Sequence, residues 1–119
     1  MSVCHIEIPS PDLDANIDFY LKVFPWHIDT QVIEEGYVHF RAGDMSGGFD
    51  QSLRPSADGV CVVIHVEDIV ETLGEIVEAG GSVIQEKTEL KANQGSYAYF
   101  ADPCGNRLGL FQDRLVRQG

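Results

Sequence analysis

His5 and Glu7 stand two residues apart in a segment, Val3 to Ile8, whose apolar and polar residues alternate. Alternation of period two is the mark of a strand, so the imidazole and the carboxylate share one face. Such a pair can ligate a divalent cation, work as an acid/base couple, or face water. The carboxylate beside the imidazole would orient the ring and favour its protonated form. Further along, Cys61 is either a thiol nucleophile or a small buried hydrophobe, and His65 shares its parity. Near the C-terminus Arg107, Gly109 and Phe111 alternate with Leu108 and Leu110, so a cation and an aromatic ring share a face opposite the leucines. His27 and His39 have no positional support and read as surface or strand residues.

These residues must be positioned by regular elements. Cys4, Ile6 and Ile8 lie opposite His5 and Glu7, which suits a strand covered on one side only. Ser10-Pro11-Asp12 reads as a helix start, with Ser10 as N-cap and Pro11 at the first helical position. Leu13, Ile17, Tyr20, Leu21 and Phe24 then form a core-facing stripe, and Pro25 ends the helix. Strands are expected at Ile28 to Ile33 and Tyr37 to Arg41, with a short one at Met45 to Asp50 despite its two glycines. Ser52 to Gly59 is the candidate linker. The order then restarts: a strand at Val60 to Val66, and a helix opened by Asp68 with Ile69, Leu73, Ile76 and Val77 as its stripe. Ala79-Gly80-Gly81 stops that helix. Ser82 to Gln85 begins a strand, and others follow at Ser96 to Ala101 and Arg107 to Gln112. The last two are joined by the turn Asp102-Pro103-Cys104-Gly105-Asn106. The tail from Arg114 to Gly119 is expected to fray.

A shift of 56 residues lays the second half on the first: Ile6 on Val62, Ile8 on Ile64, Asp12 on Asp68, Ile17 on Leu73, Tyr20 on Ile76, Ile28 on Ile84. Each half reads strand–helix–strand–strand–strand, the first module over about residues 1–52 and the second over about 59–113, within one domain spanning 1–119. Neither half buries enough apolar surface alone, so the modules pack together within a chain or across a dimer. Parity puts His5, Glu7 and their counterparts Cys61 and Val63 on the faces away from the helices, toward a shared cavity.

The totals exclude several classes. A net charge of −11 opposes binding to nucleic acid and to anionic membrane surfaces. The N-terminal residues do not form a signal peptide, and no apolar run reaches the roughly 20 residues of a membrane span. Three cysteines, Cys4, Cys61 and Cys104, without CxxC spacing, indicate free thiols and a cytoplasmic protein.

The stretch HIEIPSPDLDANIDFYLKVFPWHI resembles the opening strand and helix of the vicinal oxygen chelate superfamily, which contains glyoxalase I, the extradiol dioxygenases and the bleomycin-resistance proteins. The stretch YFADPCGNRLGLFQ resembles its closing hairpin, and the glutamate of HIEIP, the Phe-Pro-Trp after the helix and the ending GLFQ resemble the glyoxalase-related subgroup. The resemblance implies an α+β fold of two tandem βαβββ modules with curved antiparallel sheets. It also implies a metal site with one ligand from each of four equivalent strands. His5 matches the first ligand position, Cys61 stands at the second module's equivalent, Gly109 stands where a Glu is usual, and Met45 to Asp50 offers no Glu or Gln. No cofactor is therefore expected; if a divalent metal binds, His5, Glu7 and Cys61 are its ligands.

The expected function is metal-independent binding of a small organic molecule in the cavity between modules, lined by His5, Glu7, Cys61, Val63, Arg107, Gly109 and Phe111. One alternative is a lyase, isomerase or epimerase of the superfamily using His5 and Glu7 as acid and base. Another is a non-catalytic assembly partner. The open strand edges and small size favour a homodimer.

Overall fold

The computed structural model describes residues 1–31, 34–56 and 58–114. Strand β1 (His5–Pro9) leads into helix α1 (Leu13–Val23), and strands β2 (His27–Ile28), β3 (Tyr37–Ala42) and β4 (Met45–Asp50) complete the first module. The second repeats the order: β5 (Val63–His65), α2 (Ile69–Glu78), β6 (Ser82–Glu89), β7 (Ser96–Ala101) and β8 (Arg107–Gln112). A short 3₁₀ turn, Lys91–Asn93, links β6 to β7. Each module forms one four-stranded sheet, ordered β1-β4-β3-β2 and β5-β8-β7-β6. In each, the first strand runs parallel to the last and the other pairs are antiparallel. This is the expected α+β arrangement of two βαβββ units.

Several local expectations are corrected. The N-cap of α1 is Asp12, whose carboxylate accepts from the Ala15 N–H. Ser10 is fully buried instead, donating to the Ile8 carbonyl and accepting from the Asn16 amide. Leu21 is 47% exposed, and its place in the core goes to Phe19 and Asn16. The reason is that α1 is covered on two sides. Tyr20 packs on Phe49 of its own sheet, while Phe19 and Phe24 lie against Phe100 of the other module. Val77 is likewise 54% exposed. The expected strand at Ile28 to Ile33 shortens to His27–Ile28, and its last two positions, 32 and 33, lie outside the described residues. Val60 to Val66 shortens to Val63–His65. The gapless repeat slips after α2. Ile28 pairs with Phe40, but Phe100 is paired by Val83, leaving Ile84 50% exposed. Most of the expected fraying tail, 115–119, lies outside the described residues.

Asp68 caps α2 as expected, and the helix stops at Ala79, with Gly80 at φ +101° and Gly81 returning a hydrogen bond to the Ile76 carbonyl. The core runs through both modules: Ile8, Leu13, Ile17, Val38, Phe40 and Phe49 join Ile69, Leu73, Ile76, Ala98, Phe100, Leu108 and Leu110. Among the described residues no helix is long and apolar enough to cross a membrane.

The two modules are also tied by a buried polar cluster. Asp102, in the β7–β8 turn, accepts from Tyr20 Oη (2.9 Å), Asn16 Nδ2 (3.1 Å) and Asn106 Nδ2 (2.7 Å), and from the backbone N–H of Cys104 and Asn106. Asn106 Nδ2 also donates to the Pro9 carbonyl at 2.6 Å, clamping the turn to the end of β1. Burial and the neighbouring Asp102 carboxylate push the Tyr20 hydroxyl well above the usual phenol range, so it remains a donor.

Candidate functional site

The open face of the first sheet is built from alternate residues of β1, β3 and β4. His5 stands opposite Ser46, Glu7 opposite Gly48, and His39 is the other neighbour of Gly48. Both glycines of β4 have a packing reason. A side chain on Gly47 would overlap the Phe40 ring on the core side, and one on Gly48 would overlap the Tyr37 ring on the open side. The strand is thus thinned so that an aromatic ring can lie across each face.

Tyr37 consequently reaches His5. Its hydroxyl lies 2.6 Å from His5 Nε2, and the rings stack at 6.4 Å and 12°. His39 closes on both edge-to-face, at 5.0 Å from Tyr37 and 6.5 Å from His5. The hydrogen-bond network assigns the imidazole tautomer. Ser46 Oγ donates to the Cys4 carbonyl (3.1 Å), so it receives the N–H of His5 Nδ1 (3.3 Å). In neutral His5, Nε2 then accepts the Tyr37 O–H. In the imidazolium, Nε2–H donates to the Tyr37 oxygen and the phenolic hydrogen is free for Glu7. The Tyr37 hydroxyl is pushed up to about 12, by loss of solvent first and then by its hydrogen bond to Glu7 and the carboxylate's charge.

The open face of the second sheet carries the other expected residues. Val63 pairs with Gly109, and His65 with Phe111. Arg107 lays its guanidinium 3.9 Å above the Tyr99 ring, and Tyr97 meets Tyr99 edge-to-face at 5.8 Å. A side chain on Gly109 would meet Val63 at 3.1 Å and Tyr99 at 3.2 Å. Cys61 is half-buried, its Sγ near the Val62 and Arg107 carbonyls, both at 3.7 Å. His65 Nε2 lies 2.6 Å from the Asp113 carboxylate, a pair mostly in solvent.

Glu7–Gly48 and Val63–Gly109 are equivalent rungs of the two parallel strand pairs. Gly48 is therefore the first module's counterpart of Gly109, and at both places an aromatic side chain lies beside the glycine. Among the described residues no three His, Cys, Asp or Glu side chains gather to hold a metal ion. His5, Glu7 and Cys61 do not form such a group, so the donors of one chain do not fit the divalent metal that the fold family implies.

Among the described residues no hydrogen bond or ring contact joins the two sets of site residues. Of the expected cavity residues, only Glu7 and Arg107 meet in a cleft of about 250 Å³ at the seam of the modules; His5, Cys61, Gly109 and Phe111 do not line it, and Val63 lines a second cleft. Glu7 and Pro9 of β1 stand on one side and Arg107 and Leu108 of β8 on the other, with Val62, Asn106, Arg54 and Ser56 completing the wall. A second, mostly apolar cleft of about 380 Å³ is lined by Ile6, Trp26, Phe40, Met45, Val63 and Ile64 among others. Trp26 is fixed there between Phe40 (4.9 Å, 9°) and Tyr20 (5.1 Å, 10°).

The sequence does not single out Tyr37 or Arg54 as site residues; His39 reads there as a surface or strand residue and Asn106 as part of a turn. Tyr37 and His39 share strand parity, and His39 opposes Gly48 while Tyr37 opposes Asp50; only the pairing of His39 with a glycine is a local signal, and Tyr37 reaches across Gly48 on the diagonal. Arg54 lies in the linker, where no periodicity orients it.

Two βαβββ modules with open sheet faces and a cleft at their seam define a class of small α+β proteins. Over residues 2–110 the chain matches, and belongs to, the Glyoxalase/Bleomycin resistance protein/Dioxygenase superfamily. Similar solved structures include a glyoxalase/bleomycin resistance protein/dioxygenase family enzyme from Burkholderia phytofirmans PsJN (16% identity, TM-score 0.79, covering 95% of this chain and 99% of that one). A glyoxalase-related enzyme from Fulvimarina pelagi is also similar (19%, TM-score 0.76, 100% and 99%). So is an E126Q mutant of the fosfomycin resistance protein FosX from Listeria monocytogenes, complexed with Mn(II) and 1S,2S-dihydroxypropylphosphonic acid (13%, TM-score 0.77, 96% and 93%). At these identities the likeness establishes the fold. No curated protein matches the chain.

Proposed function

We propose that this protein binds a small organic molecule between its two modules without a resident metal. One observation carries the reading: Glu7 of the first sheet and Arg107 of the second, on faces assigned to a common cavity by strand parity, line the same cleft. At about 250 Å³ it lies below the roughly 300–1,000 Å³ of drug-sized sites, so the ligand is metabolite-sized. The free thiols Cys4, Cys61 and Cys104 agree with a reducing, cytoplasmic setting, and the open sheet faces, with Val63 54% exposed, agree with pairing to a second copy.

The test is a thermal-shift screen of small dicarbonyls, aromatic acids and sugars, repeated on Gly59→Trp. Gly59 lines the cleft, and a Cβ there would meet nothing within 4 Å, so a larger residue is compatible with the fold and its bulk at the cleft is expected to obstruct entry. Hits that stabilise the wild type and fail on the variant support the reading. Hits indifferent to the substitution place the ligand elsewhere and refute it.

A second reading, an acid/base lyase, isomerase or epimerase, is favoured by the Ser46–His5–Tyr37 hydrogen-bond network, with the Glu7 carboxylate beside the tyrosine. A chain of hydrogen bonds with two alternative proton placements is suited to taking up and returning a proton. Unchanged turnover of an identified substrate in both His5→Ala and Tyr37→Phe would eliminate it.

A further inference from the structure

We propose that the seam cleft recognises an oxyanion, a carboxylate or phosphate carried by a small molecule, through the guanidinium groups of Arg54 and Arg107. This rests on the reading that the ligand enters between the modules, and it specifies the ligand's charge. The chain carries 19 Asp and Glu against 8 Lys and Arg, yet among the described residues five cations, Arg41, Arg54, Lys91, Arg107 and Arg114, have no carboxylate within 4.0 Å; what sets Arg54 and Arg107 apart is that they share a cleft. Lys22 pairs with Asp18 at 2.8 Å, and Lys87 with Glu89 at 4.0 Å. Among the described residues no carboxylate lies within 4.0 Å of Arg54 or Arg107. Yet these two arginines, one from the linker and one from β8, line the same cleft.

Arg107 is also held in a definite orientation. Its guanidinium carbon lies 3.9 Å from the centre of the Tyr99 ring, a cation–π contact that anchors the group without using its N–H donors on a carboxylate. A carboxylate or phosphate offers the paired oxygens that such a fork accepts. The rim beside it is rigid, because Asn106 is fixed by Pro9 and Asp102. Glu7, across the cleft, is the one carboxylate among the described residues of the lining. It opposes an anion and so limits the charge that the site tolerates. A group with one hydrogen-bond donor beside its oxyanion satisfies both walls.

The experiment is titration of isotope-labelled full-length protein with malonate, benzoate and inorganic phosphate, with benzamide as the neutral control. Saturable shifts at Glu7, Asn106 and Arg107 with an oxyanion, and none with benzamide, are expected. Arg107→Gln should weaken the affinity about tenfold, and Arg54→Gln several-fold, the loss of a charge-assisted hydrogen bond. Glu7→Gln should tighten it about threefold or more, an effect opposite in sign to any loss of folding. Malonate or benzoate binding without phosphate binding assigns a carboxylate; the reverse assigns a phosphate. If benzamide binds the cleft as well as benzoate does, or Glu7→Gln weakens binding, the charge inference is overturned while the ligand site stands. If a library of every charge leaves the cleft unmoved, both fall.

Discussion

Replacing Asp102 by Ala tests whether the two modules are held in register by the buried polar cluster. The carboxylate accepts five hydrogen bonds, three from side chains at 2.7–3.1 Å and two from backbone N–H groups at 2.9 and 3.0 Å. Each bond to a charged acceptor contributes roughly 1.5–3 kcal/mol. The full sum is not lost. Asn16 and Asn106 keep second partners in Ser10 and Pro9, and a desolvated charge is removed along with the bonds. The Tyr20 hydroxyl, buried completely, loses its sole partner, as do two backbone N–H groups of the turn. A net destabilisation of about 2–4 kcal/mol follows, a large part of the roughly 5–15 kcal/mol of a typical domain. Urea denaturation followed by far-UV circular dichroism measures it. Tyr20→Phe should cost about 1 kcal/mol, and the double variant should fall short of additivity by more than about 0.5 kcal/mol, because both changes remove the same bond. A loss below about 1 kcal/mol for Asp102→Ala, or strict additivity, would refute the reasoning.

Gly48→Ala should drive the Tyr37 ring off the strand and return its hydroxyl from about 12 toward the ordinary phenol value near 10, read by ¹³Cζ-tyrosine NMR titration. Because Tyr37 holds its proton more tightly folded than unfolded, its stabilising contribution is complete below pH 10 and disappears as pH rises from 10 to about 12. Tyr37→Phe should therefore flatten part of the alkaline fall in stability, and an unchanged slope would contradict the assignment. Gly81→Ala places a methyl group 2.7–2.8 Å from Ile76, Phe19 and the Ala101 carbonyl, and should cost about 1–3 kcal/mol by denaturant titration.

Much of this fold can be read from short-range pattern. The alternation in β1 and β8, the carboxylate cap of α2, the two glycines after it and the hairpin turn are local, and the structure reproduces them. What escaped reading depends on distant chain. Phe19 and Asn16 look like the polar-side flank of an amphipathic helix until α1 is seen to be covered by both modules. The Asp102 cluster joins residues 82 and 86 positions apart, so the turn conceals a second task. The one-residue slip that turns Val83, half-buried, toward the core in place of Ile84 accompanies irregular pairing between β6 and β7, which no repeat alignment without gaps can represent. At the candidate site the face of His5 and Glu7 was legible from parity. Tyr37 was not, because its reach across Gly48 is diagonal and depends on the absence of a side chain on the neighbouring strand.

The proposed ligand is held in the cleft that Glu7 and Arg107 line together. The most direct measurement is a crystal structure of the protein soaked with the tightest hit from the small-molecule screen. The account predicts the molecule bound in the seam cleft, within hydrogen-bond distance of the Arg107 guanidinium. A ligand bound only in the apolar cleft beside Trp26, or only on a sheet face away from the seam, would contradict it.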